Sequence, residues 1–370
     1  MTGKVDGGTV VCDDSRLHDI VLVDQLPQDF WFEGIAIRPS GNVLIANIKD
    51  PELLAVDATS EGPPEDRFRT IPPRIVHTFP DANGAFNICA LPGTKREEYA
   101  VVSGHADPAK GDFHSFMVWR VVMPPEESDD APEVSKIGDL PDVRFATGLV
   151  AISERTLAIA DSSRGCIWRF DVPSGQPSVL FEDPNLAPPP SGEDGFFGVG
   201  RVRFTEKYGW AVNTGFGTLY RFPIEYVDGG KDLKVTGPIE PVVTGLVNAD
   251  GMVMTRGARE AYICSYMKGH LWRVDLDSYV TGDLWRVDTD GDGKGSVSVV
   301  RSDLVSPTTM ELVYPDKGGK PTLYIVCCHP LSQEMYETSV NGSWLDLTNV
   351  DRSKLEVTIT VTTEVTYEYI

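Results

Sequence analysis

The chain has 370 residues, with 33 Lys and Arg against 55 Asp and Glu, giving a formal charge of -22. That sign excludes nucleic acid and anionic membrane surfaces as expected partners, because phosphate binding needs a positive face. With 41% hydrophobic residues, 35 Gly and 27 Pro, the composition suits a turn-rich fold with a real core and points to small-molecule partners. No apolar run approaches the roughly 20 residues of a membrane helix. The first residues carry no basic patch followed by an apolar core, so no signal peptide is expected there. Cys12, Cys89, Cys166, Cys264, Cys327 and Cys328 are scattered without zinc or CxxC spacing. They read as reduced thiols in a cytoplasmic setting.

In chain order the first strand-like stretch is IVLVDQL from Ile20. A short apolar phrase then recurs at intervals of 50 to 60 residues: EGIAI from Glu33, NICAL from Asn87, TGLVA from Thr147, GRVRF from Gly200, DGMVM from Asp250 and TTMEL from Thr308. Each leads through a turn into a second strand-like stretch, such as NVLIANI from Asn42 or TLAIADS from Thr156. Most units continue into a third, such as IWRFD from Ile167 or LYRFP from Leu219. Short runs rich in Val, Ile, Tyr and Trp between Gly, Asp, Asn and Pro read as strands, and three or four strands per 50 residues is a propeller period. The expected fold is all-β, a six-bladed β-propeller forming a single domain over 1–370. The tail LEVTITVTTEVTYEYI from Leu355 alternates like a strand, so it, the Ile20 segment, or both should complete the last blade.

The familiar catalytic signatures GxSxG, HExxH, the P-loop and GxGxxG are absent. The histidines share no ligand-like spacing, although His105, His114 and His329 stand near expected strand ends. Asp288, Asp290, Asp292 and Gly293 imitate the opening of a calcium loop, but Val299 stands where its closing Glu is needed, so a hairpin turn is expected. The first strand of each propeller blade lines the central channel, so the six phrase openers should converge on one mouth. Two of them, Glu33 and Asp250, are carboxylates, a pair that shares either a cation or a proton. Around them Trp31, Phe32, Phe86, Asn87, Phe145 and Thr147 are candidate substrate contacts. Phe196, Phe197, Met252, Thr308 and Met310 complete an apolar funnel with few polar points. Arg144 and Arg201 stand beside the openers as candidate oxygen-holding groups. Insertions from Thr59, Gly104 and Glu182 should wall the mouth, the last ending in Phe196 and Phe197.

The segments WFEGIAIRPSGNVLIANI, ATGLVAISERTLAIADSSRGCIWRFDVPSG, GVGRVRFTEKYGWAVNTGFGTLYRFPI and NADGMVMTRGAREAYICSY resemble blades of the SMP-30/gluconolactonase/LRE-like propellers. The resemblance runs from about Phe30 to His329. It implies a divalent metal at the mouth held by a Glu, two Asn and an Asp. These positions fall on Glu33, Thr147, Gly200 and Asp250, so two ligands of the set are replaced. The ALPG segment from Ala90, the TLYRFPI strand and the SPTTMEL phrase are similar to a fungal secondary-metabolite branch containing the hetero-Diels-Alderases of tropolone-sesquiterpenoid biosynthesis. That likeness implies a metal-independent cyclase needing no cofactor. It would dehydrate a tropolone-like hydroxymethyl compound to a quinone methide and direct its cycloaddition to a sesquiterpene alkene. Glu33 or Asp250 would shuttle protons, with Arg144 or Arg201 on the ring oxygen. The alternatives are a metal-dependent lactonase or esterase with one divalent cation on Glu33 and Asp250, and a non-catalytic binding or scaffold propeller.

Overall fold

A computed structural model of the protein describes residues 32–57, 73–107, 110–125, 128, 130–190, 197–255, 258–265, 274, 276, 307–314 and 323–326 in full. It also describes the backbone strands at 4–5, 8–9, 11–12, 19–26, 271–275, 297–301, 322–327 and 357–363. The calcium-loop imitation at Asp288, the insertion from Thr59, Trp31, Phe196 and His329 lie outside the described residues.

Six antiparallel sheets begin with the strands Phe32–Ile37, Gly84–Ala90, Ala146–Ala151, Val199–Phe204, Ala249–Met254 and Pro307–Val313. These six strands pack side by side in sequence order, and the last packs against the first. The result is the expected closed six-bladed propeller with its inner strands around a central channel. Among the described residues the helices are two single 3-10 turns, and no helix is long and apolar enough to cross a membrane.

Second strands are sandwiched within and between blades, so they bury both faces. Val43–Asn47 and Thr156–Asp161 have no exposed position, which is why they read as continuous apolar runs. Leu44, Ala46 and Leu53 of the first blade pack on Ile88, Tyr99, Val101 and Trp119 of the second. Ala158, Ala160 and Ile167 of the third pack on Val202, Ala211 and Phe222 of the fourth. Each buried Leu, Ile or Phe stabilises the ring by about 1.5–3 kcal/mol. Polar staples add direction: Arg38 forms a bidentate pair with Glu97 at 2.7 and 3.0 Å and also donates to the Pro124 carbonyl, tying blade one to blade two.

A fully buried polar residue ends the second strand in four blades, at Asn47, Asp161, Asn213 and Ser265, and Ser103 holds the matching level within the longer Glu98–Asp107. Its task is to satisfy turn and neighbour groups that would otherwise be orphaned. Asp161 accepts from the backbone N–H of Arg144, Phe145 and Arg164 and from the Trp168 indole. Asn213 donates to the carbonyls of Asn185 and Ala187, and Ser103 accepts the Trp119 indole N–H.

Both chain ends enter the last blade. Its strand order is Pro307–Val313, Thr322–Cys327, Val357–Thr363, Asp19–Leu26, so the tail supplies the third strand and the Ile20 segment the outermost. A further short strand, Val11–Cys12, adds in parallel to the outer edge of blade five.

Candidate functional site

Each inner strand carries an extra residue against its partner at its start, a β-bulge. The bulge falls on Glu33, Thr147, Gly200, Asp250 and Thr308, five of the six phrase openers. Blade two corrects the expected alignment. There the extra residue is Phe86, and Asn87 pairs regularly with Val102, so Asn87 stands one position deeper than the other openers. The bulge breaks the simple alternation of side chains, which is why equal spacing in the sequence misplaced it by one.

Just inside the bulges the ring narrows to a neck. A Cβ added to Gly34 would lie 2.7 Å from the Asn87 Cα, and one added to Gly251 would lie 2.9 Å from the Thr309 Cα. Glycine is required where neighbouring backbones come this close. Into the neck projects Arg201, only 2% exposed. Its Nη2 donates to Glu33 Oε2 at 2.7 Å, to the Glu33 carbonyl at 3.0 Å and to the Thr308 carbonyl at 3.3 Å. Nη1 donates to the carbonyls of Thr147 and Gly200 and lies 3.5 Å from Asp250 Oδ1. One guanidinium thus ties five blades at the axis.

Glu33 and Asp250 are 8% and 9% exposed. Burial and the neighbouring Glu33 carboxylate push the Asp250 carboxyl well above the usual carboxylate range, against the opposite pull of Arg201. Burial works against the Arg201 charge, but the carboxylates of Asp250 and Glu33 outweigh it and raise its pKa. The cluster is therefore a fixed cation with two carboxyl groups, one of them disposed to hold a proton. The other positions that could ligate a metal are turned elsewhere. The Thr147 hydroxyl donates to the Val199 carbonyl at 3.0 Å, the Thr308 hydroxyl donates to the Phe32 carbonyl at 2.6 Å, and Gly200 offers no side chain. A Cβ at Gly200 would meet the Thr214 hydroxyl at 2.8 Å. Two carboxyl groups already shared with an internal cation do not fit a divalent metal.

The expected aromatic funnel is packed more tightly than an open pocket. Phe32, Phe86 and Met252 have no exposed surface, Phe145 is buried, and all four fill space between blades. Phe86, Phe145 and Phe197 do come together, with ring centroids 6.4 and 6.1 Å apart across Phe145. Phe113, at the end of the insertion from Gly104 that was expected to wall the mouth, stacks on Phe145 at 3.9 Å. Phe197 is partly open at this end. Arg144 is exposed next to Phe145, whereas Arg201 is buried. Met310 is buried and borders a cavity on the far side of the neck.

That cavity was not expected. It encloses about 760 Å³ of channel beyond Arg201, toward the ends of the inner strands, and neither Glu33 nor Asp250 lines it. Arg201 both borders the cavity and contacts the carboxyl pair. The third-strand indoles Trp119 and Trp168 are buried.

No protein-family pattern matches the chain, and no curated protein does. Solved structures match it in fold. A luciferin-regenerating enzyme superposes with a TM-score of 0.54 at 9% identity, covering 95% of this chain and 97% of that one. Regucalcin from Agrobacterium tumefaciens, described as a calcium-binding protein, gives 0.50 at 15% identity over 94% and 95%. The PQQ-bound aldose sugar dehydrogenase of Streptomyces coelicolor gives 0.50 at 14% identity over 94% and 98%. At such identities the likeness establishes the propeller and nothing finer.

Proposed function

We propose that this propeller is a metal-independent enzyme of small-molecule chemistry, a cyclase of the hetero-Diels-Alder type related to the SMP-30-like propellers. One observation carries the reading: the Arg201 guanidinium stands between Glu33 and Asp250, at the neck of a channel where a divalent cation would need those same carboxylates. The enzyme neighbours in fold make catalysis the favoured role for such a site.

The chemistry follows from the two carboxyl groups. Asp250, held toward its protonated form, donates a proton to the hydroxyl of a ring-bound hydroxymethyl group, and water leaves. Glu33 accepts the proton of the adjacent ring hydroxyl, leaving a neutral quinone methide. The lost and gained protons balance once Glu33 returns its proton to Asp250. Arg201 fixes both carboxyl groups; its donors are committed to protein acceptors, so it positions rather than binds. Arg144 is the cation free to meet the ring oxygen, beside the Phe113, Phe145 and Phe197 cluster. Holding diene and alkene in a reactive pose contributes on the order of 7 kcal/mol or more without covalent help.

The test is adduct formation from a hydroxymethyl tropolone and a sesquiterpene alkene, after exhaustive chelation. Turnover should survive chelation and fall more than about tenfold in both Glu33→Gln and Asp250→Asn, with circular dichroism unchanged. Lactone hydrolysis restored by a divalent cation would replace this reading with the lactonase alternative. Unaltered turnover in both variants would remove the carboxyl pair from catalysis.

A further inference from the structure

The cavity beyond the neck has its own chemistry. The channel-facing residues fall in two tiers one pleat apart. The first holds Asn87 and Arg201, and the second holds Cys89, Arg203 and Glu311. Close approach of neighbouring backbones levels Gly34 with Asn87 and Gly148 with Arg201, which fixes the first tier. Ile35, Leu149, Val150, Val253 and Leu312 supply aliphatic wall, and Thr205, Glu206, Lys207 and Thr255 also line the cavity.

Two sets of donors in this chamber are unspent. The Asn87 amide Nδ2 is buried and has no hydrogen-bond partner, although the residue is only 5% exposed and lines the cavity. A buried unpaired donor costs about 1–3 kcal/mol, so a group that supplies an acceptor recovers that amount. Arg203 donates to its neighbour's Val202 carbonyl at 3.0 Å, while its Nη2 stands 4.0 Å from Glu311 Oε2, beyond hydrogen-bond reach. Glu311 balances the Arg203 charge without using up its donors. Burial holds the Cys89 thiol at about 12, so it adds no charge and no thiolate. The chamber therefore combines aliphatic walls with donors at two levels of the channel, the backbone levels lying about 7 Å apart, two residues of strand rise.

We propose that this chamber is a second binding site, independent of the carboxyl pair, for an uncharged, largely apolar molecule bearing two acceptor oxygens, one for each level of donors. A ketone, lactone or ether oxygen would accept from Asn87 at the neck, and another from Arg203 one tier further. The volume suits a molecule of drug-like size. A carboxylate is disfavoured because Glu311 already occupies the place of the anion beside Arg203.

The probe is 7-methoxycoumarin, followed by its own fluorescence, with the anionic 7-methoxycoumarin-4-acetate as comparator. Saturable binding is expected, at least about tenfold tighter for the neutral compound and weakened at least about tenfold by Asn87→Leu. The Arg203→Met/Glu311→Leu double variant removes one charge of each sign and should weaken binding similarly; it serves if Asn87→Leu fails to fold. Glu33→Gln should leave binding unchanged. The assignment is overturned by absence of saturable binding, by equal affinity for the anion, or by unchanged affinity in the folded chamber variants.

Discussion

Replacing Arg201 by Met keeps most of the side chain's length and deletes its charge and donors. Glu33 and Asp250 then face one another across a buried neck without a cation, and the carbonyls of Thr147, Gly200, Glu33 and Thr308 lose a donor. Removing one partner of a buried ion pair costs about 3–5 kcal/mol, because the remaining charge is left uncompensated. With an unfolding entropy near 2.1 cal/mol/K per residue, the whole chain has about 0.8 kcal/mol/K, so 4 kcal/mol lowers the melting temperature by roughly 5 °C. Differential scanning calorimetry at neutral pH reads this directly. The triple variant Arg201→Met/Glu33→Gln/Asp250→Asn removes the stranded charges and should recover about half of the loss. Millimolar calcium should raise the midpoint of Arg201→Met and leave the parent protein unmoved, since only the variant has two carboxylates lacking a cation. A shift below about 1 °C in Arg201→Met, or no recovery in the triple variant, would refute the view that this guanidinium holds the neck together.

The Asp250 carboxyl is raised in the folded protein, so the native state binds its proton more tightly than the unfolded chain does. Its contribution to stability is complete below the unfolded value of about 4 and is lost as pH rises through the folded one, with a slope of at most about 1.4 kcal/mol per pH unit. Asp250→Asn should flatten urea-measured stability above about pH 4, and parallel curves for variant and parent would contradict this. Deleting residues 355–370 removes the third strand of the last blade and strips Asp19–Leu26 of its pairing. Insoluble protein or a collapsed melting transition is expected; a soluble protein with an unchanged midpoint would argue against the closure.

The blades were legible because each repeats the same apolar phrase, and second strands buried on both faces stay apolar throughout, as in Thr156–Asp161. The closure was legible from alternation in the tail. The site was legible only in part. Glu33 and Asp250 were found because both sit on the bulge that turns a side chain toward the axis. Asn87 was misplaced because the extra residue in blade two is Phe86, a shift of one that no spacing reveals. Arg201 read as an oxygen-holding group, since sequence shows its charge but not the four carbonyls that converge on it. The far chamber was invisible: Arg203 and Glu311 lie in different blades, more than a hundred positions apart in the chain. The sequence places Asn47, Asp161 and Asn213 inside strand-like stretches, and only packing shows that they are buried anchors.

The way the ring is sealed sets the order in which it can be made. Asp24 pairs with Ile359, so the last sheet cannot form until Val357–Thr363 has been synthesised. Bringing those ends together costs about 5 kcal/mol of loop-closure entropy for a flexible chain of roughly 340 residues. The first four blades face no such delay, because their sheets pair strands that are neighbours in the sequence. They can assemble one after another as they leave the ribosome. Throughout that interval Asp19–Leu26 lacks the strand it pairs with and is open to another chain. Refolding from denaturant should accordingly show rapid gain of sheet followed by a slow, concentration-sensitive phase that ends when this edge is covered.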